Sequence, residues 1–374
     1  MNILFIQKVK AVCGSERIML GAAEELIRRG HTVDCLIYTT PGYPVDDYVR
    51  MLTNAGSEVT EMVLAGNISL RVFLKTRTFL KHHRYDIVHT HLVHGDWYGI
   101  SAARHAGYKY IISTKYNDDP FRKGFLFRSI EKHLTRKCSK VLTISEWLKT
   151  FAVQMGVPEE KIDVVYYGMK SPEIDKNSKP ELRKELDIPV GDIVYLIAAR
   201  LIPQKGHTYL LEAFRKLRSE ADNVLLLIAG EGKLEKELKQ KADSLGLGSS
   251  VRFLGFRKDI HSVMRSCDVF VHPSLWEGFG IVLLEAMHAS LPVVASDVSA
   301  IPEVVADGET GFCVPFKDSD TLYARMKQLL NDPGLRAEMG SRGKQRAQQM
   351  FTPEQMGDGL ERAYREMRES LKTP

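Results

Sequence analysis

Short aliphatic runs alternate with longer stretches of helical periodicity along the chain. Ile3–Ile6, Val33–Ile37, Ile87–His89, Tyr110–Ser113 and Val141–Ile144 form one series; Val194–Ala198, Val224–Ala229, Val251–Leu254, Val269–Val271 and Val293–Ala295 form a second. A strand that is apolar throughout must be covered on both faces, and the intervening helical stretches supply that cover. Each series therefore predicts a parallel sheet flanked by helices. Between the two series, Gly168–Pro180 is polar and interrupted by two prolines, and reads as a linker. The expected fold is α/β: two doubly wound, Rossmann-like domains, 1–170 and 171–352, facing across a cleft. The ligand is expected where strand C-terminal ends meet. Beyond Pro333 the pattern is helical, and Phe351-Thr352-Pro353-Glu354 predicts a helix start with Thr352 as cap and Pro353 in the first turn. No internal repeat or low-complexity tract interrupts this organisation.

Composition narrows the class. A chain of 374 residues with 44% hydrophobic side chains is large enough for two or three cores. Charged residues make up 26%, mean hydropathy is −0.19, and no apolar run approaches the roughly 18 residues of a spanning helix. The start, Met1–Ile6, enters a strand-like run with neither the basic segment nor the cleavage site of a signal peptide, so export is not expected. Cys13, Cys35, Cys138, Cys267 and Cys313 are odd in number, scattered and free of any C-x-x-C, which argues against a disulfide framework or structural zinc and for a reducing cytoplasm.

Charge is uneven. Residues 1–171 carry 24 Lys+Arg against 17 Asp+Glu (+7), and the remainder 28 against 30 (−2). Within Arg71–Arg84 and Phe121–Arg128, basic residues interleave with aliphatic and aromatic ones. The first reading of such a segment is a helix whose apolar side faces the core. The second is peripheral contact with an anionic membrane face.

The segment richest in chemistry is His272-Pro-Ser-Leu-Trp-Glu277-Gly-Phe-Gly-Ile-Val-Leu-Leu-Glu285-Ala-Met287. Gly278 and Gly280 allow backbone to approach a ligand, and the helix that follows would aim its unpaired N–H groups at an anion. Glu277 and Glu285, eight residues apart, would sit at different depths along one ligand, each accepting two hydroxyls, as the vicinal diols of sugar and ribose offer. Glutamates are usually solvated surface charges, but Glu285 lies within Val282–Met287, where an ionised carboxylate needs partners. A second cluster, Arg200-Leu-Ile-Pro-Gln-Lys205-Gly206, follows the strand Val194–Ala198 directly. Its cations would neutralise a diphosphate, Arg200 as a planar fork and Lys205 as a point charge, unless they are ordinary surface cations. In the front half, Cys13-Gly14-Ser15-Glu16 opens a helix where phosphate could meet backbone N–H groups. The third strand ends in Asp86-Ile-Val-His89-Thr-His91, and alternation sends both histidines to one side with His91 nearer the strand end.

With these residues in view the sequence resembles a family 4 retaining glycosyltransferase of the GT-B fold. The match runs through the Gly14 loop, the His91 strand end, Val141–Glu146, Lys161–Gly168, Arg200–Gly206, Ile228–Gly232, Phe253–Gly255 and the glutamate pair Glu277 to Glu285. The resemblance implies that Glu285 holds the donor ribose. It assigns the transferred sugar to Glu277 and the backbone of Phe279, Gly280 and Ile281, and the diphosphate to Arg200 and Lys205. Gly14 would lie under that diphosphate, His91 beside the transferred sugar and acceptor, and the last helix, 353–374, would return to the front domain. Catalytic roles fall to Glu277, Lys205, Arg200 and His91. Three positions depart from the family pattern: Cys13 and Ser290 stand where glycine is common, and Ser299-Ala300 where two glycines are.

Other signals carry less. Asp318-Ser-Asp320 spells the D-x-D of metal-dependent transferases but precedes a helical pattern and reads as a cap. Asp46-Asp47 and Asp118-Asp119 lack a third ligand, so no metal is assigned. Gly230-Glu-Gly232 lacks the third glycine of a dinucleotide fingerprint. The expected activity is metal- and cofactor-independent transfer of a sugar, with retention, from a nucleoside-diphosphate sugar to a hydroxyl of a glycan, lipid-linked or small-molecule acceptor; nucleic acid is not an expected partner. Rival readings are a sugar-nucleotide 2-epimerase, a glycoside phosphorylase, a non-catalytic sugar-nucleotide-binding subunit and, more distantly, an NAD oxidoreductase. The expected location is the cytoplasm, with room for peripheral contact at the membrane face.

Overall fold

The computed structural model describes residues 1–118, 124–171 and 178–370, apart from the side chains of residues 125–126 and 178–181. The chain divides into two compact units, Met1–Met169 together with the segment from Phe351 on, and Lys170–Met350. The first contains strands β1 (Asn2–Lys8), β2 (Thr32–Thr39), β3 (Val59–Val63), β4 (Ile87–His91), β5 (Ile111–Lys115), β6 (Lys140–Thr143) and β7 (Ile162–Val164) in the order β3-β2-β1-β4-β5-β6-β7. The second contains β8 (Ile193–Ala198), β9 (Val224–Ala229), β10 (Val251–Gly255), β11 (Val269–His272), β12 (Val293–Ser296) and β13 (Gly311–Val314) in the order β10-β9-β8-β11-β12-β13. Neighbouring strands run parallel in both sheets. Central strands such as β1 and β8 are buried along nearly their whole length, the condition that an uninterrupted aliphatic run satisfies.

Three strands escaped the sequence pattern. β3 is a half-exposed edge strand reading Val-Thr-Glu-Met-Val, β7 has three residues, and β13 starts with glycine and contains cysteine. The His89–His91 strand is consequently fourth in the chain rather than third. The expected linker is shorter as well: a helix begins at Ser178 and takes Pro180 into its first turn, where proline's missing N–H has no partner to lose. Residues 172–177 of that linker lie outside the described residues.

The last helix, Pro353–Ser370, starts as expected, with Gln355 N donating to Thr352 Oγ1 at 3.2 Å. It packs on the first helix, Gly14–Arg28, through Arg29, whose guanidinium bonds Asp358, Glu361 and the Glu354 carbonyl. A side chain at Gly168 would put Cβ 1.9 Å from the Thr352 carbonyl, so the chain turns past this helix start only with glycine there.

The basic segment 71–84 forms the helix Leu70–His82, and Val72, Thr76 and Leu80 face the core at i, i+4 and i+8, as the first reading requires. A second apolar row points outward: Ile68 is 87% and Leu70 72% exposed, and Leu74 stands beside exposed Arg71 and Lys75. Of the other basic segment, residues 121–123 lie outside the described residues, and the rest opens the helix Phe125–Lys137. Among the described residues no helix is long and apolar enough to cross a membrane.

Candidate active site

In each sheet one strand has neighbours reached by connections leaving in opposite directions: β1 between β2 and β4, β8 between β9 and β11. Such a switch point opens a crevice at the strand C-terminal ends. The residues singled out in the sequence occupy those places, with Gly14 after β1 and His91 closing β4 in the first unit. In the second, Arg200 and Lys205 follow β8, and Glu277–Glu285 follow β11.

In the second unit two loops are locked together. Gly206 adopts φ +65°, and a Cβ there would lie 1.9 Å from the Pro273 carbonyl, so only glycine lets the Lys205 loop press on the loop after β11. Leu275 N donates to Gln204 O at 2.7 Å, and Gln204 Nε2 donates to Trp276 O at 2.9 Å. The result is contact between Lys205 and Glu277, whose side chains are 12% and 13% exposed. Glu277 Oε2 accepts from Lys205 Nζ and from His272 Nε2 at 3.0 Å, with Ser274 Oγ 3.4 Å away. Burial alone would raise the Glu277 pKa, but the Lys205 charge and the His272 bond outweigh it and hold the carboxyl well below the usual carboxylate range. Burial lowers the His272 pKa, so that ring is neutral at pH 7 and its single N–H is the one facing Glu277. Its Nδ1 has no partner among the described residues. Oε1 takes none of these bonds, so one carboxylate oxygen is anchored and the other remains to accept hydroxyls.

Gly280 sits at φ +84°, and the helix Ile281–His288 begins immediately after it. Glu277 therefore precedes this helix, and only Glu285, which is buried, belongs to it. The Phe279 side chain is buried, leaving its backbone as the part able to meet a ligand. Arg200 is exposed and makes no ion pair among the described residues, in contrast to Lys205. Two of the three departures from the family pattern acquire a physical meaning: Ser290 and Ser299 adopt φ +60° and +51°, the left-handed region that favours glycine. Ser299 also accepts a hydrogen bond from Glu277 N at 3.3 Å, tying it to the site.

In the first unit, Gly14 is the first residue of its helix, but the position is less open to an anion than the sequence implies. The Glu16 carboxylate accepts from Cys13 N at 3.0 Å and Ser15 Oγ at 2.9 Å, and also from Gln7 Nε2 at 3.0 Å. At the other strand end, the rings of His89 and His91 stack at 4.3 Å on one side of β4, as alternation predicts, and Phe5 packs edge-on against both. His91 Nδ1 bonds the Tyr116 hydroxyl at 2.5 Å, while Nε2 is buried without a partner among the described residues. Asp318 is the helix cap expected of it, its carboxylate accepting from Asp320 N and Thr321 N.

Comparisons with known proteins identify the family. The chain matches the model "Glycosyl transferases group 1" over residues 178–346 and "Glycosyltransferase Family 4" over residues 12–170. It is 30% identical to an uncharacterized glycosyltransferase of Methanocaldococcus jannaschii, over 84% of this chain and 85% of that one. The chain is a family 4 glycosyltransferase. A UDP-Gal:α-D-GlcNAc-diphosphoundecaprenol α-1,3-galactosyltransferase of Escherichia coli is 27% identical over 88% of each chain. The crystal structure of Anabaena Alr3699/HepE in complex with UDP and glucose matches with TM-score 0.86 over 97% of this glycosyltransferase and 98% of that chain, at 24% identity, which establishes the GT-B fold.

Sequence reasoning missed several side chains around these positions. His272 ends β11 as His91 ends β4, and that shared placement was the available signal. Tyr116 follows β5 directly and could have been found by continuing that strand's alternation one residue past its end. Nothing local marks Tyr364 or Gln204, because their partners lie far away in the chain.

Proposed function

We propose that this glycosyltransferase moves a sugar from a nucleoside-diphosphate donor to an acceptor hydroxyl with retention of configuration and without a metal ion. The observation that carries the reading is the anchored Glu277, held on one oxygen by Lys205, His272 and Ser274 directly before a helix that begins at a left-handed glycine. Glu277 Oε1 suits the hydroxyls of the transferred sugar, Glu285 the ribose diol, and Lys205, Arg200 and the N–H groups after Gly280 the diphosphate. The bond from the anomeric carbon to the diphosphate oxygen breaks as the acceptor oxygen attacks the same face, and that diphosphate oxygen takes the acceptor proton. Negative charge grows on the leaving group, so cations fixed beside it stabilise the transition state more than the ground state. His91, neutral through burial, offers a hydrogen bond rather than a charge to sugar or acceptor.

Family 4 membership supports retention. The names of the E. coli relative and of the HepE complexes support a UDP-sugar donor, and the former supports a lipid-linked acceptor. The outward row Ile68, Leu70 and Leu74 beside Arg71 and Lys75 supports peripheral contact with an anionic membrane bearing that acceptor. A panel of nucleotide sugars with undecaprenyl-diphosphate-linked and soluble acceptors, run with and without EDTA, tests the reading; product anomers are assigned by NMR. An α-linked product from an α-linked donor at an EDTA-independent rate is expected. Inversion, metal dependence, or conversion of donor without an acceptor would overturn it.

A further inference from the structure

Two lysines are buried among the described residues, Lys8 and Lys115, and they are treated differently. Lys115 is neutralised: its ammonium bonds Asp96 Oδ2 at 2.6 Å and also contacts Glu131. Lys8, the last residue of β1, is 8% exposed and donates to the Gly66 carbonyl at 3.1 Å, and no carboxylate pairs with it among the described residues. An ammonium has three hydrogens to place, and a buried charge without a counter-ion is costly. Lys8 is thus a buried cation whose compensation has to come from outside the described residues.

The fold gathers further positive charge around it. β4 passes into the short helix Leu92–Gly95 through Leu92 at φ +62°, a conformation that a branched side chain seldom adopts. Gly95 then presses on β1, where a Cβ would lie 2.5 Å from the Ile6 carbonyl. This strained turn seats His94 beside the end of β1. There burial, together with the positive charges of Lys8 and Lys10, holds its pKa down to about 4. Burial and the Lys10 charge lower the Lys8 pKa as well. From the third side comes the loop before the helix Leu70–His82: Asn67 Oδ1 lies 3.1 Å from His94 Nε2, and the Tyr98 hydroxyl ties the Asn67 carbonyl at 3.0 Å. Lys10, Gly66 and Asn67 are exposed, so the place is open to solvent and to a ligand. The helix start that follows β1 is already filled by the Glu16 carboxylate, so an anion at this strand end meets Lys8 rather than free backbone N–H groups. Backbone strain and mutually repelling cations held together at one strand end are what a ligand's negative charge would relieve.

We propose that Lys8, with Lys10 and His94 beside it, is an anion subsite that takes a phosphate or diphosphate group carried by the acceptor. That the anion belongs to an acceptor rests on the glycosyl-transfer reading; the anion subsite itself does not. It is separate from Arg200 and Lys205, which belong to the other unit and to the donor.

The test uses inorganic phosphate as the probe, titrated into the full chain at pH 7.5 while the His94 ring C–H signals, assigned through His94→Gln, are followed by NMR. The titration is run with and without saturating UDP, which occupies the donor's own diphosphate positions. A saturable shift of the His94 signals is expected in both arms, weakened about tenfold or more in Lys8→Met and about threefold in the exposed variant Lys10→Gln. The urea midpoint of Lys8→Met without phosphate is expected to equal or exceed that of the wild type, because an uncompensated buried charge has gone. In transfer assays Lys8→Met is expected to raise KM about tenfold for a diphosphate-linked acceptor. Donor KM, and KM for the same sugar on an uncharged alkyl linker, are expected to stay within twofold. Absence of a shift in the wild type overturns the proposal, as does unchanged phosphate binding in Lys8→Met, whatever its stability. A shift abolished by UDP assigns the anion to the donor and overturns it too, and so does an unchanged KM for the diphosphate-linked acceptor. Should the protein transfer no sugar at all, the phosphate titration still decides the anion subsite, so the two readings fail separately.

Discussion

Lys205→Met separates the ion pair that this lysine makes with Glu277 from the diphosphate contact proposed for it. Methionine keeps the apolar stem and deletes the charge, leaving Glu277 with His272 and Ser274 alone. Removing one partner of a fully buried pair costs about 3–5 kcal/mol. With 13% of the Glu277 side chain exposed and two donors retained, about 2 kcal/mol is expected here. Turnover is expected to fall about a hundredfold or more, since loss of one preorganised contact to a developing charge costs about 2.7 kcal/mol or more. The Glu277 carboxyl, its chief source of stabilising charge gone, titrates nearer the ordinary carboxylate range. The assay pairs urea unfolding with initial rates of nucleoside-diphosphate release, on the single variant and on Lys205→Met/Glu277→Gln, which removes the orphaned charge. The double variant is expected to regain most of the lost stability and none of the lost turnover. Near wild-type turnover in folded Lys205→Met refutes the reasoning. Recovered turnover in the double variant does too, because Lys205 would then serve only to neutralise its neighbour.

Other consequences follow from backbone and burial. Ser290 is exposed in the left-handed region, so Ser290→Gly is expected to raise stability by about 1 kcal/mol, read as a higher urea midpoint. Gly206→Ala brings Cβ against the Pro273 carbonyl at φ +65°, and is expected to cost about 3 kcal/mol or more and to separate Lys205 from Glu277; unchanged stability and turnover would contradict the loop clamp. His207 is buried with both ring nitrogens unpartnered among the described residues and its pKa lowered to about 3 by burial. It is neutral in the fold and takes up a proton on unfolding, so its contribution is complete above about pH 6.5 and is lost as pH falls toward 3, at about 1.4 kcal/mol per pH unit. His207→Gln is expected to flatten the pH dependence of the urea midpoint between pH 6 and 4 by that slope, and an unchanged slope would mean that the ring is already protonated in the fold.

What could be read from the chain follows the range of the forces involved. Central strands β1, β8 and β9 were legible because burial on both faces demands an unbroken aliphatic run, while β3 at a half-exposed edge and the short β7 place no such demand. Gly14, His91, Lys205 and Glu277 were legible because each lies at a strand's C-terminal end, a place that local pattern locates.

By itself, then, the sequence determined the two parallel sheets, their punctuation and the strand-end loops to which the proposed chemistry is assigned, since periodicity and turn residues act within about a dozen positions. Tertiary structure alone decided the partners. It brought Lys205 to a carboxylate 72 residues away, filled the cap at Cys13 with Glu16, left Ser290 and Ser299 in left-handed geometry, and bonded Tyr364 to His89. A buried polar atom bonds whatever donor or acceptor the packing delivers, and that delivery depends on the register of strands and the contact of loops rather than on neighbours in sequence.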